Sequence, residues 1–496
     1  MAVRKLGLRG GALVPFLLCG LLVLCILADL RTGFAEDVEK EVSKDEPRRE
    51  STAPPAAPAP LPAFQNIRYA ERWNALTTAA ASSRYRKVKY IPLENSGLIY
   101  LSVGGQLRLR SETWRSFAFR QGADDTYGLS RLRLHTDLYV GAHVRLFIEG
   151  KSALATGRDL PGGLRTIDVD TLDLQNGFVE FAGFDNSAHI MLGRQELQYG
   201  RQRLVSPLDW ANSRRTFDVA RASVRHGSWN IDGFWGMLVP VRKYEFNTSR
   251  RGDTDFYGVY STRVMASRHL VYDLYWLGLN RRSAAFGNLT ARENRQTFGS
   301  RLGGRLLGSS DFDLEGAVQA GRHGDRHILA AMFTTQLGYI WAERAWTPRA
   351  YANFDFASGD GNPDDGRLGT FNQLFPLGHA YLGFADFVGR QNIEDLSLGL
   401  SAAPIREVLL TAGWHNFWRA DSHDALYNPA GMVVRPGGGG ESARVGREMD
   451  VVGHYLFNRY VAVELGYCHF FTGSFLRESG GDAPVDFLYG QIITTF

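Results

Sequence analysis

Leu101-Ser102-Val103-Gly104-Gly105-Gln106-Leu107-Arg108-Leu109-Arg110 alternates residue by residue. Successive side chains of an extended chain point to opposite faces. Leu101, Val103, Leu107 and Leu109 therefore share one face, and Ser102, Gln106, Arg108 and Arg110, with Glu112 beyond, share the other. The pattern recurs. Leu132, Leu134, Leu138 and Val140 oppose Arg131, Arg133, His135 and Asp137; Val144, Leu146 and Ile148 oppose His143, Arg145, Glu149 and Lys151. A soluble sandwich gives the same period with its polar face in water. These segments run to about ten residues, long enough to cross a bilayer at a tilt, against five or six in an ordinary sheet. Turn-bounded segments of this kind, about eighteen from Leu98 to Phe496, continue to the last residue, and an even count is typical of bacterial barrels. Glycine-rich stretches such as 359–366 and 436–440 separate some of them. The expected fold is all-β, a transmembrane antiparallel β-barrel of about 18 strands, because only a closed sheet satisfies every backbone group in lipid.

The start of the chain supplies the route. Arg4, Lys5 and Arg9 precede an apolar stretch from Leu13 to Ala28, and Gly33-Phe34-Ala35 offers small residues for a signal peptidase. Residues 1–35 read as a cleaved signal peptide, with a retained anchor as the alternative. Leu18 before Cys19 is too bulky for a good lipoprotein signal. Residues 36–64 hold Ala53-Pro54-Pro55-Ala56-Ala57-Pro58-Ala59-Pro60, which buries too little apolar surface to order itself and reads as a disordered periplasmic tether. Residues 65–97 form an N-terminal periplasmic segment with a short helix expected around Tyr69 to Ala81, and 98–496 form the barrel of an outer membrane.

Composition narrows the class. A mean hydropathy of −0.21 with one long apolar run excludes a helical membrane bundle. Of 56 basic and 52 acidic residues, the signal removes four and one, so the mature chain carries 52 and 51. That balance gives no support to nucleic-acid binding. Cys468 is the one cysteine outside the signal and cannot form an internal disulfide. Only seven of the 56 basic residues are lysine. Either arginine is used for its bidentate grip on carboxylates, or a GC-rich genome inflates it throughout.

Three motifs carry a family resemblance. Leu192-Gly193-Arg194-Gln195-Glu196-Leu197-Gln198-Tyr199-Gly200-Arg201-Gln202-Arg203-Leu204 resembles the Gly-Arg-Gln hairpin of the alginate export outer-membrane porins. Trp414-His415-Asn416-Phe417-Trp418-Arg419-Ala420-Asp421 resembles their His-x-Phe-Trp-Arg strand, and Val445 to Val452 the strand after it. The aromatic-rich end Phe487 to Phe496 resembles the insertion signal of bacterial outer-membrane barrels. The resemblance implies an eighteen-stranded barrel with a narrowed, arginine-lined lumen and an anionic polysaccharide as cargo. The tether and the Phe371 to His379 loop look like more divergent members, so the fold carries over and the substrate does not.

Passage of a polyanion needs a series of weak carboxylate sites, strong enough for entry and weak enough for exit. Arg108, Arg110, Arg131, Arg133, Arg145 and Lys151 supply cations on the polar face, with Glu112, His135, Asp137 and Glu149 among them. The alternative is a wall in which arginines and acids merely brace each other. Glu180 and Arg194 join the expected lumen by resemblance, since the alternation is ragged there, and Arg201 and Arg203 belong to the same motif, toward a rim. No enzyme is expected: Gly-x-Ser-x-Gly is absent, the twelve histidines lack paired metal-ligand spacing, and Asp360-Gly361-Asn362-Pro363-Asp364 lacks the closing Glu of a calcium loop. No cofactor or metal is expected. The expected partners are an anionic polysaccharide or, alternatively, a small organic anion taken up, outer-membrane lipid, and periplasmic polysaccharide secretion proteins.

Overall fold

The computed structural model describes residues 63–73, 86–183, 186–265, 269–286, 289–306 and 308–496. The expected signal peptide and all but the last two residues of the tether lie outside them. Eighteen long strands follow one another among the described residues: β1 (Ile99–Arg115), β2 (Asp125–Val140), β3 (Val144–Thr156), β4 (Asp170–Ala182), β5 (Ala188–Gln195), β6 (Phe217–His226), β7 (Trp229–Leu238), β8 (Thr254–Met265), β9 (Leu270–Phe286), β10 (Leu289–Arg305), β11 (Ser310–His323), β12 (Arg326–Ile340), β13 (Arg349–Ala357), β14 (Ile393–Ala402), β15 (Val408–Trp418), β16 (Arg444–Asn458), β17 (Val461–Thr472) and β18 (Val485–Thr495). Each pairs antiparallel with the next, and β1 closes on β18 from Gln106↔Thr495 to Arg115↔Asp486. None of these eighteen strands leaves an edge open to lipid.

Burial runs opposite to that of a soluble protein. Leu132 and Leu134 of β2 are 40% and 49% exposed, while Arg131 and Arg133, alternating with them, are 1% exposed. Apolar side chains face outward where lipid surrounds them, and charged ones face a packed interior. Tyr339, Trp341, Trp346, Tyr455, Phe457 and Tyr460 add exposed aromatics at one rim, the position of an interfacial girdle. That rim carries tight turns such as 141–143, 227–228 and 459–460; the long connections 157–169, 196–216, 358–392 and 419–443 all leave the other. Short turns mark the periplasmic side.

The ragged alternation before Glu180 has a local cause. Register passes from Glu149↔Asn176 to Gly150↔Leu174, which leaves Gln175 unopposed. This β-bulge turns Gln175 and Asn176, consecutive in sequence, both inward. The helix expected over Tyr69 to Ala81 falls largely outside the described residues. Arg68–Ala70 form a single 3-10 turn, and Glu71 to Trp73 are not helical.

Candidate functional site: an occupied lumen

The alternation of β1 to β3 builds a basic inner wall. Register sets Arg108 opposite Arg131 and Arg133 opposite Lys151, an arrangement that like-charge repulsion alone disfavours. Loop 196–216 resolves it by folding into the barrel. Arg108 donates to the carbonyl oxygens of Asp209 and Ala211, both at 2.8 Å, and Arg131 donates to the Asp209 carbonyl at 2.9 Å and its carboxylate at 2.8 Å. Arg110 donates to the Trp210 carbonyl at 2.9 Å and lies 4.0 Å from the centre of that indole ring. Behind this row, Arg133 pairs with Glu149 at 3.0 Å and with Glu196 at 3.5 Å, and Arg214 bonds both Glu196 and Asp209. Burial on its own raises the Glu196 carboxyl, but the Arg214 and Arg133 guanidinium groups outweigh it, and the net shift is downward.

The same loop reaches the far wall, which is acidic. Arg203 pairs with Asp313 at 2.6 Å and Glu315 at 3.0 Å on β11, and Arg301 of β10 bonds Asp273 and Asp313. Loop 358–392 folds in from the same rim and places Arg390 2.9 Å from Asp355. The two loops meet in mid-lumen, where Ser206 N–H donates to the Phe375 carbonyl at 2.8 Å and Phe375 N–H to the Leu204 carbonyl at 2.9 Å. Trp210 stacks on His379 at 3.6 Å, and Phe375 packs against Phe217 and Phe256. Loop 196–216 is thus a strap, held by its carbonyls and acids on one wall and by an arginine on the other.

From the periplasmic side, residues 63–73 and 86–97 run along the inner wall. Arg145 donates to the Tyr69 carbonyl at 2.8 Å, Tyr69 donates to the Glu196 carbonyl at 2.6 Å, and Arg68 pairs with Glu71 at 2.8 Å. Lys89 lies over Trp73, 5.0 Å from its ring centre, and its Nζ donates to the Phe496 backbone oxygen at 3.1 Å. A Cβ at Gly104 would collide with this ammonium and with the His135 ring, so a larger residue there would push Lys89 off its seat. The lumen keeps a cavity of about 340 Å³ bordered by His189, Arg221 and Asp232, and another of about 150 Å³ bordered by His379, His415 and Asp450.

Arg108, Arg110, Arg131, Arg133, His135, Asp137, Arg145, Glu149, Lys151, Glu180 and Arg194 are all buried on the inner face. They are engaged rather than open to an aqueous channel. Arg145 bonds Asp137 at 2.6 Å and Glu180 at 3.0 Å, Lys151 meets Asp170 at 2.7 Å, Arg194 meets Asp218 at 2.8 Å and Asp173 at 3.2 Å, and His135 stacks on Phe147. Arg201 keeps the exposure of a rim residue at 55%, but Arg203 does not lie at a rim: the strap carries it inside, to 1% exposure. Asp209, Arg214, Arg390 and the acids of β11 and β13 escaped the reading of the sequence. The signal was present in the aromatic content of the long connections, Trp210, Phe371 and Phe375 among them, which solvated loops have no use for.

A closed barrel, apolar outward, with long loops folded into a charged lumen defines a porin of the outer membrane. The family model for alginate export matches residues 99–487, and the chain belongs to that family. Among solved structures it is similar to OccK3 (OpdO) of Pseudomonas aeruginosa, at 14% identity and a TM-score of 0.53 over 79% of this chain and 95% of that one. It is also similar to OpdK, an outer membrane protein of the same organism, at 9% identity and a TM-score of 0.53 over 80% and 98%. A structure of OpdK with vanillate matches at 9% identity, a TM-score of 0.53, and 79% and 98% coverage. These likenesses concern the fold. No curated protein matches.

Proposed function

We propose that this barrel is an export pore for an anionic polysaccharide of the uronate type, opened when the 196–216 strap leaves the basic wall. The observation that carries the reading is Arg108. It is 2% exposed, and its guanidinium donates to two carbonyls and, at 3.4 Å, to the Asn212 side-chain oxygen, all neutral acceptors. Hydrogen bonds between charged partners are roughly twice as strong as those between neutral ones, so a carboxylate arriving at this position outcompetes a loop carbonyl. With the strap displaced, Arg108, Arg110, Arg131 and Arg133 form a column of carboxylate sites along the path, and Glu112 and Glu149 keep each site weak. In this reading the signal peptide is removed on export, the cell is Gram-negative, and periplasmic secretion proteins deliver the chain to the lower rim. Uptake of small organic anions is the second reading. It is favoured by the cavity of about 340 Å³, which suits a small solute and borders Arg221 and His189.

Reversal potential under a salt gradient, with uronate oligomers as blockers, tests both readings in planar bilayers. Export of a polyuronate requires anion preference that falls in Arg108→Ser and Arg131→Ser, and block that strengthens with oligomer length. Block by monomeric carboxylates alone favours uptake. A channel that prefers cations and ignores both refutes the two together.

A further inference from the structure

We propose that β15, β16 and β17 build a binding site for a divalent transition-metal ion of the zinc class, independent of the cargo. Register brings its donors together: His415 lies opposite Glu448, and Asp450 lies opposite Cys468. One carboxylate oxygen each from Glu448 and Asp450 and the Cys468 sulfur lie within 4.8 Å of one another. His415 Nε2 stands 3.7 Å from Asp450 Oδ2, close to the donor separation of about 3.4 Å that tetrahedral zinc imposes at its usual bond lengths. The residues are consecutive inward positions of three adjacent strands, so the wall itself holds them in place.

Two further observations point to a missing cation. Glu448 Oε2 and Asp450 Oδ1 are buried and accept no hydrogen bond among the described residues. Many buried acids elsewhere in the lumen meet a permanent cation, as Glu149 meets Arg133, Asp355 meets Arg390 and Asp170 meets Lys151. Here the described ion-pair partner is His415 alone, shared between Asp395 and Asp450. The Asp395 carboxylate accepts from His415 Nδ1 at 2.9 Å, which turns Nε2 toward Asp450, where a metal ion would take the place of the Nε2 proton. A carboxylate behind a ligating imidazole is the usual support of a metal-bound histidine. Ala385 N–H donates to Glu448 Oε1 at 2.9 Å and fixes that side chain. The cavity of about 150 Å³ reaches His415 and Asp450 and gives an ion a way in. One thiolate, one imidazole and two carboxylates form a donor set of intermediate softness, which suits zinc or cobalt and is a poor match for calcium. Binding forms four metal–ligand bonds and releases to water the Cys468 thiol proton and the proton that His415 Nε2 shares with Asp450.

The test uses the full-length folded protein, stripped with a chelator and titrated with Co²⁺ alone. One equivalent bound per chain is expected, with a near-ultraviolet sulfur-to-cobalt charge-transfer band and competition by Zn²⁺. Cys468→Ser removes the band, Glu448→Gln abolishes stoichiometric binding, and Asp395→Asn weakens affinity by about 10- to 100-fold. Heat-modifiable electrophoretic mobility certifies that each variant is folded, and His415→Gln replaces any that is not. The proposal falls if folded wild type binds no Co²⁺ saturably, or if binding survives unchanged in Cys468→Ser and Glu448→Gln.

Discussion

Glu196→Gln loosens the strap while leaving the strand ladder of the barrel intact. Glu196 is fully buried where β5 gives way to the strap, bonded to Arg214 and Arg133, with Gln175 Nε2 donating to it at 2.9 Å. Removing one partner of a buried pair costs about 3–5 kcal/mol, because the other charge stays buried. Arg133 keeps Glu149 and Arg214 keeps Asp209, so the low end applies, about 3 kcal/mol or roughly a hundredfold in the ratio of released to docked strap. Acid acts in the same direction. Because the folded pKa of Glu196 is depressed, its share of docking is complete above the ordinary value of 4.5 and is lost as pH falls through the lower folded value. The assay is open probability in planar bilayers, with protease cutting of the strap as a second measure and heat-modifiable mobility as the check on the barrel. Expected are frequent openings at neutral pH in Glu196→Gln, and openings in wild type only in acid. A variant as closed and as protease-resistant as wild type would refute the strap.

Two other outcomes follow from parts of the chain outside the strap. Burial pulls Lys89 down to about 8, with Arg68 adding to it and Glu71 opposing; its share of docking is complete above the ordinary 10.5 and is lost as pH falls through about 8, a swing of at most about 3 kcal/mol. Hydrogen exchange at residues 86–97, corrected for intrinsic base catalysis, should therefore slow from pH 7 to pH 10, and Lys89→Met should flatten the slope. Leu398 sits on the lipid face near the middle of β14 at 58% exposure, so Leu398→Arg should cost about 2–4 kcal/mol in denaturant unfolding from lipid vesicles but far less in detergent; equal losses in both would show that the face does not meet lipid.

The barrel was legible because its side-chain period is local. Leu132 and Arg133 declare opposite faces from neighbouring positions, whatever surrounds them. Where the period breaks, at Gln175 and Asn176, a bulge had shifted the count, and no local pattern identifies which residue is the extra one. The wall arginines were legible as inward-facing for the same reason, but their partners were not. Arg108 meets carbonyls about a hundred positions away, and Arg203, just after β5, meets Asp313 and Glu315 across the lumen on β11. Such pairings depend on how long loops fold back, which no spacing encodes. The cluster at Glu448 is of this kind: the sequence offers only two acids two apart, and register across three strands adds the thiol and the imidazole.

The place where the N-terminal segment rests has a consequence for the order of assembly. Arg68 and Lys89 both donate to the backbone oxygen of Phe496, while Ile91 and Pro92 pair with Leu101 and Tyr100 of the first strand. Gly105 and Phe496 exchange two hydrogen bonds at the same spot, where the barrel's first and last strands are zipped together. Neither strand alone presents all of these partners. A nascent barrel with its seam still unzipped lacks the Phe496 acceptor for Arg68 and Lys89, so the segment is fully seated only once the last strand has joined the first, and its seating becomes a timer for completion of the cylinder.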